Sequence, residues 1–336
     1  MNSSAPSAAE RFSRALLMVP ELRDVEAVIR ATFNSDVIPM REIPEYLLSL
    51  GGKRIRPALT LLCARALGAQ TISPMLLDIA AGIELIHMAT LMHDDIIDQS
   101  PVRRHMPSPY KRYGTPLTLL SGDFLLTRAF GLCAKLDDRV IQETEQACIE
   151  LVEGEALETP LHTQQHSVET SITIAERKTA SLFRLAAFCA AHLTGASAEV
   201  IRDMSAFGQS LGVAFQMIDD ILDVTSDEQT LGKRPGLDIA ERKPSIVNML
   251  WLKSGSSEAQ RLLTPPGGTD DPDYVERSLA TLKDSDVINE AKLLASSYAE
   301  RARTSLQTAT QHNPATNEQF VMSLQAVIEF ALERLR

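Results

Sequence analysis

Apolar residues return every three or four positions along almost the whole chain, whereas short alternating runs rich in β-branched residues are scarce. That pattern predicts an all-α protein. The stretch 184–193, followed by Thr194 and Gly195, shows the typical form: an apolar helical run and then a glycine stop. Breaks between helices are predicted at 50–53, 107–110, 232–236 and 264–273, the last being the richest in proline and glycine. Helical spacing resumes after it, so 264–273 reads as a loop inside one domain spanning residues 1–336. The first twelve residues, rich in Ser and Ala, are expected to be frayed.

Composition narrows the class. The chain has 336 residues, 44% hydrophobic and 23% charged, which suits a globular core. Its net charge of -11 argues against nucleic acid as a partner, so an anionic ligand would need a local basic patch. Cys63, Cys133, Cys148 and Cys189 lack CxxC spacing and sit in apolar helical contexts, as core thiols do. No stretch reaches eighteen uninterrupted apolar residues, and the first residues lack the pattern of a secretion signal. A cytoplasmic location is therefore expected, with transient membrane contact at most.

Two acidic clusters change the picture. Asp94, Asp95 and Asp98 form a DDxxD, and Asp219, Asp220 and Asp223 form a second. On a helix these spacings crowd carboxylates on one edge, at a cost of roughly 0.2 to 0.5 kcal/mol per like-charged pair. A single cluster reads equally well as a solvated acidic face. Two clusters, each embedded in apolar residues, call for cations, and magnesium suits carboxylates combined with phosphate oxygens. Lys53, Arg54, Arg56, Arg103, Arg104, Lys178, Lys233 and Lys243 could supply the phosphate contacts, arginine as a fork and lysine as a point charge. His87 lies two helical turns before Asp94 and so shares its face.

These residues resemble the trans-isoprenyl diphosphate synthases, and among them the long-chain polyprenyl diphosphate synthases. The resemblance rests on GGKRIRP from Gly51, ELIHMATLMHDDIID from Glu84, the arginine pair at 103 and 104, SGDFLLTRAF from Ser121, KTASLF from Lys178 and FQMIDDILD from Phe215 with GK at 232. It implies an isoprenoid synthase fold of about a dozen helices around a deep cavity, in a homodimer. It also implies condensation of isopentenyl diphosphate with an allylic prenyl diphosphate. Asp94, Asp98 and Asp219 would then hold three magnesium ions, with Asp95, Asp220 and Asp223 in support. Arg103, Lys178, Lys233 and Lys243 would bind the allylic diphosphate; Lys53, Arg56, His87 and Arg104 would bind isopentenyl diphosphate. Thr179 and Gln216 would turn oxygen dipoles toward an allylic cation.

Ala89 and Thr90, both small, would leave the path of the growing chain open, with Ile86 deeper and Phe130 at its floor, favouring a hexaprenyl to decaprenyl product. Two departures stand out: His105 where the family usually has glycine after the arginine pair, and ERKPSIV at 241–247 where EGKxTLP is expected. Alternatives are a short-chain farnesyl or geranylgeranyl diphosphate synthase, a class I terpene cyclase, and a non-catalytic subunit of a heteromeric synthase. The intact Asp223 and both complete clusters weigh against the last two.

Overall fold

The computed structural model describes residues 7–161, 163–227, 234–264, 273–283 and 285–335. Its helices, in order, are α1 (Ala8–Leu17), α2 (Leu22–Thr32), α3 (Pro39–Ser49), α4 (Ile55–Ala66), α5 (Pro74–Ile97), α6 (Pro109–Tyr113), α7 (Thr115–Cys133), α8 (Asp138–Leu157) and α9 (Val168–Ile174). A π-helical turn, Ala175–Ala180, leads directly into α10 (Ser181–Leu193) and α11 (Ala198–Thr225). Then come α12 (Leu237–Ala240), α13 (Ile246–Lys253), α14 (Ser257–Leu263), α15 (Tyr274–Lys283), α16 (Asp286–Gln311) and α17 (Glu318–Glu333). Among the described residues there are seventeen α-helical segments, where about a dozen helices were expected.

The all-α expectation holds, with one addition. Val102–Arg103 pairs antiparallel with Met106–Pro107, and the residues between them, Arg104 and His105, have φ of 52° and 64°. Two consecutive left-handed residues make a type I′ hairpin turn, which usually selects Asn-Gly. The absence of that signature hid the hairpin from pattern reading. The Tyr46 hydroxyl donates to the Pro107 carbonyl at 2.7 Å and pins the hairpin to α3.

Two long helices carry the acidic clusters. α5 starts at Pro74 behind an N-cap whose Ser73 hydroxyl accepts from the Leu76 N–H, and it packs on α4 and α7. It is long and apolar enough to cross a membrane, yet most of it is buried inside the bundle. α11 starts behind Ser197 in the same way and packs on α10 and α16. Trp251, Phe183 and Phe207 are among the largest fully buried side chains of the core.

Of the twelve residues expected to fray, residues 1–6 lie outside the described residues. From Ser7 onward the chain forms a helix, because Ser7 and Glu10 make a reciprocal capping box. Phe12 stacks on Phe330 at 4.3 Å and Arg11 pairs with Glu329 at 2.9 Å, so α1 is fixed across α17. Most of the expected 264–273 loop lies outside the described residues. Cys63, Cys133 and Cys189 are buried free thiols, and Cys148 is half-buried.

Candidate active site

Two cavities meet at Thr90, Asp94 and Leu151. The first, about 790 Å³, is lined by Lys53, Arg54, Arg56 and Arg104 together with His87, Lys178, Thr179, Gln216 and Asp219. The second, about 830 Å³, has an apolar wall of Ile86, Leu126, Phe130, Cys148 and Val152. Asp98, Glu155, Glu158 and Lys243 complete it. A polar chamber thus opens directly onto an apolar one.

Each DDxxD occupies the end of its helix. Asp94 lies in the last turn of α5, which Asp98 caps, and Asp219 to Asp223 lie in the last two turns of α11. A helix C-terminus carries the negative end of the macrodipole, so carboxylates there are destabilised and a cation is favoured. The helical period sorts the six aspartates. Asp94, Asp98 and Asp219 line the cavities. Asp95, Asp220 and Asp223 are buried and turned into hydrogen bonds. Asp95 accepts a forked bond from Arg103 at 2.6–2.9 Å, Asp220 accepts from the Ile246 N–H at 2.9 Å, and Asp223 from the Asp238 N–H at 3.1 Å.

The cavity carboxylates are matched by cations of the chain. Lys243 lies 2.9 Å from Asp98, 3.1 Å from Glu241 and 3.4 Å from Glu158. Lys178 lies 2.5 Å from Glu155 and 2.6 Å from Glu158. Burial alone would lower both lysines, but Glu158 and its acidic neighbours outweigh it and hold both above the usual lysine value. Arg334 pairs with Asp219 at 2.7 Å. The Asp94 carboxylate makes no hydrogen bond or ion pair among the described residues, and burial pushes it up to about 7. Among the described residues no three His, Cys, Asp or Glu side chains are gathered closely enough to hold a metal alone. That donor set, hard oxygens spread over two helix ends, fits a metal that completes its shell with phosphate oxygens and water.

The opposite wall is basic and mostly unmatched. Lys53 and Arg56 have no carboxylate partner among the described residues, and the Arg56 Nε is buried without a hydrogen bond. Among the described residues Arg104 donates only to the Gly51 carbonyl. Its reach depends on Gly52, where a Cβ would come within 3.0 Å of the Arg54 and Arg104 guanidinium groups. Arg54 does a different job: bonded to Glu84 and Glu26 at 3.2 Å, it fastens the GGKR loop to α5 and α2. Burial, reinforced by Arg56, Arg103 and Arg104, drives His87 well below the usual imidazole value. At neutral pH it is therefore an uncharged hydrogen-bonding group.

Thr179 donates to the Gln216 Oε1 at 2.6 Å, and the Gln216 amide donates to Asp220 at 2.8 Å. With its proton committed, the threonine hydroxyl oxygen is left as an acceptor in the cavity wall. Lys178 and Thr179 stand on the π-helical turn, which lies tightly against α8 and α11. A Cβ on Gly154 would come 2.5 Å from the Lys178 amide nitrogen, and one on Gly212 would come 2.5 Å from the Ala180 Cα.

Several sequence assignments change. Ala89 is fully enclosed in the core and lines neither cavity, whereas Thr90 and Ile86, four and eight residues before Asp94, share the Asp94 face of the helix and line the apolar cavity. Arg103 is held by Asp95 and lines neither cavity. Lys233 lies outside the described residues. Lys243 lines the second cavity despite Pro244, and Arg242 before it adopts φ 56°. Glu155, Glu158 and Arg334 were missed: Glu155 sits in an ordinary amphipathic helix, Glu158 caps its end, and Arg334 follows α17 in no motif.

A family model described as polyprenyl synthetase matches residues 39–280. The chain belongs to that family, the trans-isoprenyl diphosphate synthases. It is accordingly a transferase. Octaprenyl diphosphate synthase of Escherichia coli is 36% identical over 249 residues, covering 74% of this chain and 76% of the relative. Geranylgeranyl diphosphate synthase of Methanosarcina mazei is 31% identical, covering 87% and 92%. Among solved structures, a polyprenyl synthase from Caulobacter crescentus, complexed with calcium and isoprenyl diphosphate, is 29% identical and superposes with a TM-score of 0.88 over 100% of both chains. The isoprenoid synthase fold is thereby shown, along with prenyl diphosphates as the family's substrates.

Proposed function

We propose that this synthase joins isopentenyl diphosphate head-to-tail to an allylic diphosphate and repeats the step to an all-trans chain of hexaprenyl to decaprenyl length. The observation that carries this reading is the junction at Thr90 and Asp94, where a chamber able to take two diphosphates opens onto an apolar cavity.

Asp94, Asp98 and Asp219 would hold magnesium, expected as three ions, and Asp95, Asp220 and Asp223 would keep the backbones beneath them in place. Bound there, magnesium would draw charge from the departing diphosphate. Lys178 lies beside Asp94 and would bind the allylic diphosphate; Lys243, paired with Asp98, would assist. Lys53, Arg56 and Arg104 would bind isopentenyl diphosphate, with neutral His87 donating a hydrogen bond. Thr179 and Gln216 would face the allylic cation with oxygen dipoles, too weakly nucleophilic to quench it. Isopentenyl diphosphate attacks through its double bond, and the proton then lost passes to the released diphosphate.

Chain length follows from the apolar cavity. At roughly 30 Å³ per heavy atom, the share of a molecule in liquid water, its 830 Å³ takes about 28 carbons, more than the twenty of a geranylgeranyl chain and just short of the thirty of a hexaprenyl chain, so the last units of a longer chain must extend beyond it. The Methanosarcina relative favours that shorter product, and the small Thr90 side chain favours the longer one. The exposed apolar side chains of Leu117, Leu119 and Leu120 on α7 and Ile149 on α8 support a homodimer, as a light-scattering mass twice that of the chain would verify. A cytoplasmic location with brief membrane contact during product release completes the reading.

The test is incubation with magnesium, farnesyl diphosphate and isopentenyl diphosphate, followed by chromatography of the dephosphorylated products beside linear standards. Linear alcohols of thirty or more carbons are expected. A product that stops at twenty carbons contradicts the long-chain reading; a cyclic hydrocarbon formed without isopentenyl diphosphate contradicts the condensation itself.

A further inference from the structure

The turn that follows α17 reaches the first cavity without any motif marking it. Arg334 lines that cavity beside Lys53, Arg56 and Asp219. Its Nη1 lies 2.7 Å from Asp219 Oδ1, and its guanidinium carbon sits 5.4 Å from the centre of the Phe215 ring. Four residues earlier, the Phe330 ring holds the Lys53 ammonium at 4.3 Å. One helix end therefore touches both a carboxylate assigned to metal and a lysine assigned to the second diphosphate. α1 fixes that helix end through the Phe12–Phe330 stack and the Arg11–Glu329 pair.

A carboxylate oxygen that binds magnesium cannot keep the same close ion-pair contact with a guanidinium. Metal at Asp219 would turn the Arg334 charge toward the wall that already carries Lys53, Arg56 and Arg104. Burial and the nearby Arg334 both weaken the Lys53 hold on its proton, so these two cations already repel one another. An anion between them removes that repulsion, and a diphosphate oxygen pair suits the guanidinium fork.

We propose that Arg334 is a binding residue for the second diphosphate, that of isopentenyl diphosphate, and that competition with metal for Asp219 decides when it engages. The proposal rests on the assignment of the two diphosphate sites made above. It couples the two ligands in order: metal at Asp219 frees the arginine, and the freed arginine closes with Lys53 on the incoming substrate.

Calorimetry in the presence of an allylic thiolodiphosphate, which supplies phosphate oxygens to the metal and resists ionisation, tests this with no turnover. Magnesium and then isopentenyl diphosphate are titrated into the wild type, Arg334→Gln and Arg334→Lys. The glutamine variant should bind isopentenyl diphosphate about 10- to 100-fold more weakly in magnesium, the worth of one charge-assisted bond. It should also bind magnesium more tightly, and the lysine variant should fall between it and the wild type. In steady state the KM for isopentenyl diphosphate should rise while that for the allylic diphosphate stays. Unchanged affinity for isopentenyl diphosphate in both variants, or a rise confined to the allylic KM, overturns the proposal. If the wild type itself neither binds isopentenyl diphosphate nor extends a chain, the underlying site assignment fails instead.

Discussion

His105 and Arg242 hold left-handed backbone conformations that glycine would take freely, and both stand where the family usually has glycine. The sequence showed these departures without their meaning, since φ is not legible in a residue type. His105 is exposed and Arg242 is buried, so only His105 can be exchanged without losing packed contacts. A left-handed side chain costs about 1–2 kcal/mol, and glycine returns part of that gain through its freer unfolded chain. His105→Gly should therefore stabilise the fold by about 1 kcal/mol, read as a higher denaturation midpoint; an unchanged or lower midpoint would contradict the strain.

His87 makes a second prediction at this scale. Its proton affinity is depressed in the folded chain, so the unfolded chain binds more protons and stability rises with pH. The contribution is fully present above the unfolded value near 6.5 and is lost as pH falls below it. The slope cannot exceed about 1.4 kcal/mol per pH unit for one group. Denaturation of the wild type and His87→Gln at pH 7 and pH 5 should show the variant losing less on acidification; equal losses would assign the acid sensitivity elsewhere.

At the scale of elements, helix periodicity decides which substitution shortens the product. The α5 sequence made Ala89 and Thr90 equally attractive, being small and one turn before Asp94. Only the packing separates them, because five residues is a helical turn and almost half of another. Thr90→Phe should close the apolar cavity and shift the product toward fifteen or twenty carbons with the melting temperature nearly unchanged. Ala89→Phe forces a ring into a filled core, where overpacking costs typically 1–3 kcal/mol or more, so it should lower the melting temperature first. Chromatography and melting curves of both variants check this; shortening by Ala89→Phe alone would place the chain path on the other face.

For the whole molecule, helicity and both acidic clusters were legible because they are local patterns: a 3.6-residue period and a five-residue motif. The hairpin turn was not, since its residues break the usual preference. The pairing of Lys178 and Lys243 with Glu155 and Glu158 was not legible either, because it joins elements scarcely related in sequence. Nor was the docking of α17 against the GGKR loop, which brings Arg334 to Asp219 across 115 positions.

What the fold adds to the sequence is the meeting of two helix ends whose carboxylates face one chamber. A crystal structure with magnesium and an allylic thiolodiphosphate, which resists ionisation, examines this arrangement directly. Metal density bridging the diphosphate to Asp94 and Asp98 on one side and Asp219 on the other is the expected result, with the hydrocarbon tail passing Thr90 toward Phe130. Diphosphate bound away from these carboxylates, or a tail lying outside the Ile86–Phe130 cavity, would contradict it.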